Sequence, residues 1–290
     1  KETQQRGGAG LVLAGASLWG AYWSRSTGPW LGAGLGPESI VLVRNLGGLV
    51  VLALVLAVWK REAFRVQGKH LGWFFGTGVV SVVFFTWCYF SCQEQCSLAV
   101  AAILLYTSPA FVVLLSALLW RDKITKRKLL ALGLTFFGCA CVAGTWSGEA
   151  SLTGQGLLLG LGAGFFYALY SIFGRFALRH YGPYTVTLYT FVFAGLAALV
   201  FLHPGELAVL TTQPKLLGAA AALVVVSTVL PYLLYTAGLA RIDSGKAAIL
   251  ASVEPVVAAL VGVQVFHEAM DISTALGVVS ILAAVVLLRE

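Results

Sequence analysis

Residues 71–109 of this chain are echoed without a gap by residues 217–255, and the unit that repeats holds five apolar spans. A duplicated unit with an odd number of spans must pass through the membrane the second time in the opposite sense. The register is set by Pro109 and Pro255, 146 positions apart. At that offset Leu71, Gly72, Ser81, Tyr89 and Leu104 meet Leu217, Gly218, Ser227, Tyr235 and Leu250, and several Val and Ala pairs agree as well. Apolar helices draw on few residue types and match often by chance, so the Gly, Ser, Tyr and Pro pairs carry the argument. Two halves of opposite orientation with a site between them are the build of many secondary transporters.

Hydrophobic residues make up 59% of the 290 and charged residues 11%, against about 45 to 50% and 25% in soluble domains. Apolar stretches long enough to span a bilayer fall near 11–28, 38–59, 70–90, 98–120, 129–145, 152–172, 184–202, 216–235, 247–266 and 274–288. The expected fold is therefore an all-α integral membrane protein of ten transmembrane helices, divided into repeats 1–147 and 148–290.

The net charge of +7 is an orientation signal rather than a nucleic-acid patch. Lys60, Arg61, Arg65 and Lys69 follow the second span, Arg121, Lys123, Lys126, Arg127 and Lys128 the fourth, Arg175 and Arg179 the sixth, and Arg241 and Lys246 the eighth. Lys1, Arg6 and Arg289 share their face, and the other face receives Arg25 and Lys215. By the positive-inside rule both termini are expected in the cytoplasm, in a multi-pass protein of the cell (inner or plasma) membrane. The first span starts too far in for a cleaved signal peptide, and an opening Lys1 in place of Met implies a trimmed start.

Cys88, Cys92 and Cys96 are spaced by four and share a helical face. A soft metal or a Cys92–Cys96 disulfide is open there, beside the commoner reading of small apolar side chains in a helix interface. Gly156, Gly160 and Gly164, and likewise Gly72 and Gly76, have the spacing of helix contact faces, which membrane helices build from small residues. Pro109, Pro231 and Pro255 lie inside spans, where each removes an amide donor and displaces the carbonyl four residues earlier. Pro109 and Pro255 are the repeat-related pair, and matched interrupted helices point to a binding site.

Of the 12 acidic residues, Glu254 alone lies near the centre of a span, and of the 19 Lys and Arg, Arg44 alone lies clearly inside one. Such groups are functional candidates, because an ionisable side chain at the bilayer centre costs at least about 2.5 kcal/mol. Glu254 can carry a proton or pair with a cationic cargo; its structural alternative is a hydrogen-bonded lock between helices. Arg44 can hold a cargo carboxylate or snorkel to the outer interface. Trp30, Trp59, Trp73, Trp120 and Trp146 sit near span ends, as in an interfacial belt. Trp19, Tyr22 and Trp23 share a face, as do Tyr167 with Tyr170 and Tyr232 with Tyr235. With Trp87, Tyr106 and Tyr189 they form a candidate cavity lining, and rings of this kind attract a desolvated ammonium. Each is also explained by helix packing alone.

His70, His180, His203 and His267 lie at span ends on both faces, which supports neither a metal cluster nor a catalytic triad. No phosphate-binding glycine loop is present, and no cofactor is expected.

The residues resemble the EamA family of the drug/metabolite transporter superfamily over essentially the whole chain. Trp19-Gly20, Arg44, Thr107-Ser108-Pro109, Glu254-Pro255, and Glu268 followed by Leu276-Gly277 look like that family's recurring positions. Two departures are His267, where the family has Gly, and Asp122 in the equivalent place of the first half. The resemblance implies ten helices in two inverted repeats, a central cavity lined by the first four helices of each half, and movement of amino acids, amines or choline-like cations. The reading is a secondary transporter that alternates access around a midplane cavity, with proton coupling through Glu254. An uncoupled facilitator of the same cargo is the alternative. From other classes, a membrane scaffold or receptor expects a packed interior, and an intramembrane enzyme needs a second catalytic group. Cargo identity, direction and oligomeric state are open in the sequence.

Overall fold

The computed structural model describes residues 2–23, 37–143, 153–201, 205, 214–267 and 270–289, and among these every regular element is helical. The 147/148 boundary, Arg25, Trp30, Trp146, His203 and Glu268 lie outside the described residues, as do the side chains of Tyr22 and Trp23.

In chain order the helices are α1 (Glu2–Trp23), α2 (Pro37–Trp59), α3 (Gly68–Gln95), α4a (Leu98–Leu105), α4b (Ser108–Trp120), α5 (Lys126–Val142), α6 (Gly154–Leu178), α7 (Pro183–Ala198), α8 (Lys215–Leu239), α9a (Ser244–Ala251), α9b (Glu254–Phe266) and α10 (Ile272–Arg289). Six stretches are long and apolar enough to cross a membrane: α2, α3, Val100–Trp120, α6, α8 and Ser244–Val265. α7 and Ile272–Leu288 are shorter apolar helices. The polar opening turns of α1 (Glu2 to Arg6) and α5 (Lys126 to Lys128) dilute the apolar character of those two.

The lipid-facing character of the surface is direct. Val58 is 88% exposed, Val200 84% and Leu118 78%, and apolar exposure on this scale marks a membrane or partner surface.

The breaks have a local cause. Proline cannot coexist with an intact helical turn before it, and the residues four before Pro109 and Pro255 are Leu105 and Ala251, the last residues of α4a and α9a. The chain tightens across both gaps into bonds to the third residue back, Thr107 N to Leu104 O at 3.2 Å in one and Val253 N to Leu250 O at 3.2 Å in the other. The same 146-residue offset relates other features. Ser97 and Asp243 cap α4a and α9a, accepting from Val100 N at 3.3 Å and Lys246 N at 2.9 Å. Arg121 and His267 both end their helices in the left-handed region, each at φ 55. A π-helical stretch spans Gly76–Val83 in α3 and Val225–Val229 in α8.

The most extensive helix packing runs between the halves. α1 lies along the second part of α8, α6 along the second part of α3, α2 against α7, and α5 against α10. Gly138 and Gly277 bring the last pair together, since a Cβ on Gly277 would meet the Gly138 carbonyl at 2.6 Å. Gly160 faces Leu104 and Gly164 faces Thr107, so the α6 glycines do form a contact face. In α3 Gly76 does so against Phe173, and Gly78 against the α7 backbone at Thr190; Gly72 faces open space, which corrects the expectation for that residue.

Candidate functional site

α1 and α6 approach the two breaks through glycine. A Cβ on Gly20 would overlap the Glu254 carbonyl, and one on Gly164 would lie 2.5 Å from Thr107 Oγ1. That approach sets Glu254, the first residue of α9b, at the wall of a cavity of about 170 Å³. Its lining is Trp19, Arg44, Phe85, Tyr89, Ala102, Leu105, Tyr106, Tyr167, Tyr232 and Glu254. Arg44 and Glu254 thus share one space, with aromatic rings making most of its wall.

The rings hold one another. Trp19 meets Tyr232 edge-on at 5.3 Å and Tyr235 at 5.8 Å, while Tyr170 meets Tyr232 edge-on at 5.2 Å. Phe85 lies edge-on to Tyr167 at 5.1 Å. Edge-to-face geometry of this kind adds about 0.5–1.5 kcal/mol per pair beyond burial. Deeper in, Tyr170 and Tyr235 turn their hydroxyls to Thr236 and Ser171, each pair at 2.7 Å, so α6 and α8 are tied together below the cavity. A hollow of about 20 Å³ lies among Trp19, Phe85, Tyr167, Tyr170, Tyr232 and Tyr235 above that tie.

In the other direction the cavity shares Arg44, Phe85, Tyr89 and Tyr232 with a space of about 50 Å³ that continues past Ile40 and Phe90. Those residues lie near the start of α2 and the end of α3, so the cavity extends toward that face of the molecule.

The opposite face is closed by charge. Both Nη groups of Arg175 donate to Asp122, one of them at 3.2 Å, and Lys128 Nζ lies 2.8 Å from Asp243. The Arg175 guanidinium stacks over Trp120 at 4.3 Å. Hydrogen bonding from Arg175 is the main cause that holds the Asp122 carboxyl below its ordinary range, with Asp243 and Lys128 adding to it against some desolvation. On the same face His70 stacks at 4.6 Å on both Trp73 and His180.

Of the residues picked from sequence, Glu254, Arg44, Trp19, Tyr106, Tyr167 and Tyr232 line the main cavity, and Tyr170 and Tyr235 line the hollow beneath it. Two are elsewhere. Trp87 is 54% exposed on the lipid-facing side of α3. Tyr189 donates to the Phe64 carbonyl at 2.9 Å and packs on Phe74 beneath the charged face. Phe85 and Tyr89 line the cavity without having been picked. Tyr89 had a signal, since it is the repeat mate of Tyr235; Phe85, one of 17 Phe, had none.

The five cysteines are free thiols. Cys92 and Cys96 have their sulfurs 3.3 Å apart, and Cys88 and Cys92 pack in the α3–α6 interface. Among the described residues no three His, Cys, Asp or Glu side chains come together as metal ligands.

Helices broken in matched places around a charged, ring-walled cavity are the build of a membrane transporter. The chain belongs to the EamA-like transporter family, whose sequence pattern matches residues 6–144 and again 154–289. It is 30% identical over 279 residues to the threonine/homoserine exporter RhtA of Escherichia coli strain K12, covering 94% of this chain and 88% of that one. It is 31% identical over 201 residues to an uncharacterized transporter of Archaeoglobus fulgidus, covering 69% and 70% of the two chains. A solved crystal structure matches with a TM-score of 0.76 over 96% of this chain and 95% of its own; at 19% identity this is a likeness of fold.

Proposed function

We propose that the protein is a secondary transporter of small zwitterionic amino acids that binds its cargo between Arg44 and Glu254. The observation that carries this reading is that the cation and the carboxylate share one cavity. A guanidinium fork suits a carboxylate, and an acid among aromatic rings suits an ammonium. Amines and choline-like cations would use Glu254 and the rings and leave Arg44 idle. The cavity, about 170 Å³, is below the 300–1,000 Å³ of sites for drug-sized ligands, which favours small metabolites. The Escherichia coli relative is named as an exporter of threonine and homoserine, which agrees with such a cargo.

The helices are read as ten membrane crossings in two inverted repeats, 1–147 and 148–290. The two matched family ranges and the repeated caps, breaks and π stretches support that division. The basic residues put the face of Asp122, Arg175 and Asp243 in the cytoplasm with both termini. On this reading the cavity opens outward, and the cytoplasmic side is sealed by the ion pairs and the Tyr–Ser and Tyr–Thr ties. Rocking of the repeats exchanges the two states, and Glu254 takes up a proton when the cargo ammonium leaves.

The test is flux in proteoliposomes. Labelled L-threonine is expected to exchange, and to accumulate when an outward proton gradient (acid inside) is imposed, because proton and cargo ammonium alternate at Glu254, while choline and putrescine fail to compete. Equal flux with and without the gradient makes the protein an uncoupled facilitator. Competition by choline and not by L-serine replaces the amino-acid cargo with a cation.

A further inference from the structure

Arg44 does not reach for the near membrane surface. Its Nε donates to Thr228 Oγ1 at 3.1 Å, and Thr228 is buried on α8. α2 and α8 run the same way, because Trp59 at the end of α2 packs on Tyr184, and α8 ends next to Asp243, both on the ion-paired face. The two helices cross closely at Gly47, where a Cβ would meet Val224 at 2.5 Å. Arg44 lies one turn before that crossing and Thr228 one turn beyond it. The side chain therefore extends inward along α2, against the tilt toward the N-terminus that a helix gives its Cα–Cβ bonds.

What receives it is a hydroxyl with a fixed orientation. Thr228 Oγ1 donates its one proton to the Leu223 carbonyl at 3.0 Å, five residues earlier, a reach that belongs to the π turn of Val225–Val229. With its proton committed there, the oxygen acts toward Arg44 as an acceptor. At the repeat-related position the first half carries Val82, inside its own π stretch, so only one half has such a hydroxyl.

We propose that Thr228 is a positioning residue: from the wall of the space that adjoins the cavity it holds the Arg44 guanidinium and fixes its plane for the cargo carboxylate. The cargo in this statement rests on the amino-acid reading above; the orientation of Arg44 rests on the geometry alone.

Two measurements on the purified full-length protein test it together. The first is the rate at which phenylglyoxal modifies Arg44, followed by peptide mass spectrometry. The second is L-threonine affinity by calorimetry. Thr228→Val and Thr228→Ala, which both remove the hydroxyl, are expected to speed Arg44 modification several-fold and weaken L-threonine binding about ten-fold, the scale of a lost hydrogen bond to a charged group. Thr228→Ser is expected to restore both. In an Arg44→Gln background, removal of the hydroxyl is expected to cost no further affinity. An unchanged modification rate in both hydroxyl-free variants overturns the proposal, and so does an equal loss of affinity with and without Arg44. If L-threonine fails to bind the unmodified protein while modification still accelerates, the amino-acid cargo falls and the positioning role stands.

Discussion

The breaks in α4 and α9 share a backbone and differ in chemistry. Each falls four residues before a proline, each is approached by a glycine from another helix, and each helix ends at a left-handed residue. Yet the residue that opens the second part is Ser108 in one and Glu254 in the other, and the π stretches carry Val82 where the partner carries Thr228. The frame is repeated, and its ionisable groups are not: Arg44 stands in the first half and Glu254 in the second, each without a charged repeat mate. Asymmetric chemistry on a symmetric frame is what a zwitterion, itself unlike at its two ends, requires.

The sharpest way to break the comparison is to exchange the two residues' importance. Glu254→Gln is expected to lower L-threonine exchange by about 100-fold or more, the loss of a charge partner in a dry site. Ser108→Ala is expected to stay within about two-fold, since loss of a neutral group costs little. Proteoliposome flux reads both, and equal effects would make the breaks equivalent in function as well as in form.

Next in size are the glycines. Gly20→Ala drives a methyl group into the Glu254 backbone and is expected to destabilise by about 3 kcal/mol or more, the upper range for overpacking. Gly164→Ala meets the Thr107 hydroxyl at 2.5 Å and the Leu104 carbonyl at 2.9 Å, a looser fit against backbone than at Gly20, so about 1–2 kcal/mol is expected. Thermal unfolding in detergent ranks the two, and the reverse order would mean that the α4 break is the more tightly held.

A smaller effect is expected at the charged face. The Asp122 carboxyl is held below its ordinary range by Arg175. A carboxyl depressed on folding contributes stability above its unfolded pKa and loses it as pH falls through the lowered one. The closed face should therefore be insensitive between neutral pH and mild acid and weaken only below the ordinary aspartate range. Asp122→Asn is expected to cost about 1 kcal/mol at most, read as a small drop in melting temperature at pH 7 that vanishes at strongly acid pH.

The smallest concerns the caps. Arg121→Gly and His267→Gly relieve a left-handed φ that costs a side chain about 1 kcal/mol, and each should raise the melting temperature slightly. The family likeness led to Gly at His267, and the φ of 55 supplies the physical reason.

Much of this was legible in the chain because ionisable groups are so costly in lipid that Arg44 and Glu254 stand out by position alone. The repeat gave the register of the breaks, and Pro109 and Pro255 gave their place. Trp87 was misassigned for a specific reason. It lies two residues from both Phe85 and Tyr89, about 200° around the helix from each, so with those two at the cavity Trp87 turns to lipid. Tyr189 misled differently, since its partner is a backbone carbonyl at Phe64 that only the folded chain brings near.

The central claim, that Arg44 and Glu254 read opposite ends of one cargo, is tested most directly by calorimetry with matched losses. L-threonine is compared with its methyl ester, which lacks the carboxylate, and with N-acetyl-L-threonine, which lacks the ammonium, on the wild-type protein and on Arg44→Gln and Glu254→Gln. The account predicts that Arg44→Gln no longer distinguishes L-threonine from the ester, and that Glu254→Gln no longer distinguishes it from the acetylated form. If each variant instead weakens all three ligands by the same factor, the two residues do not divide the cargo between them, and the account is contradicted.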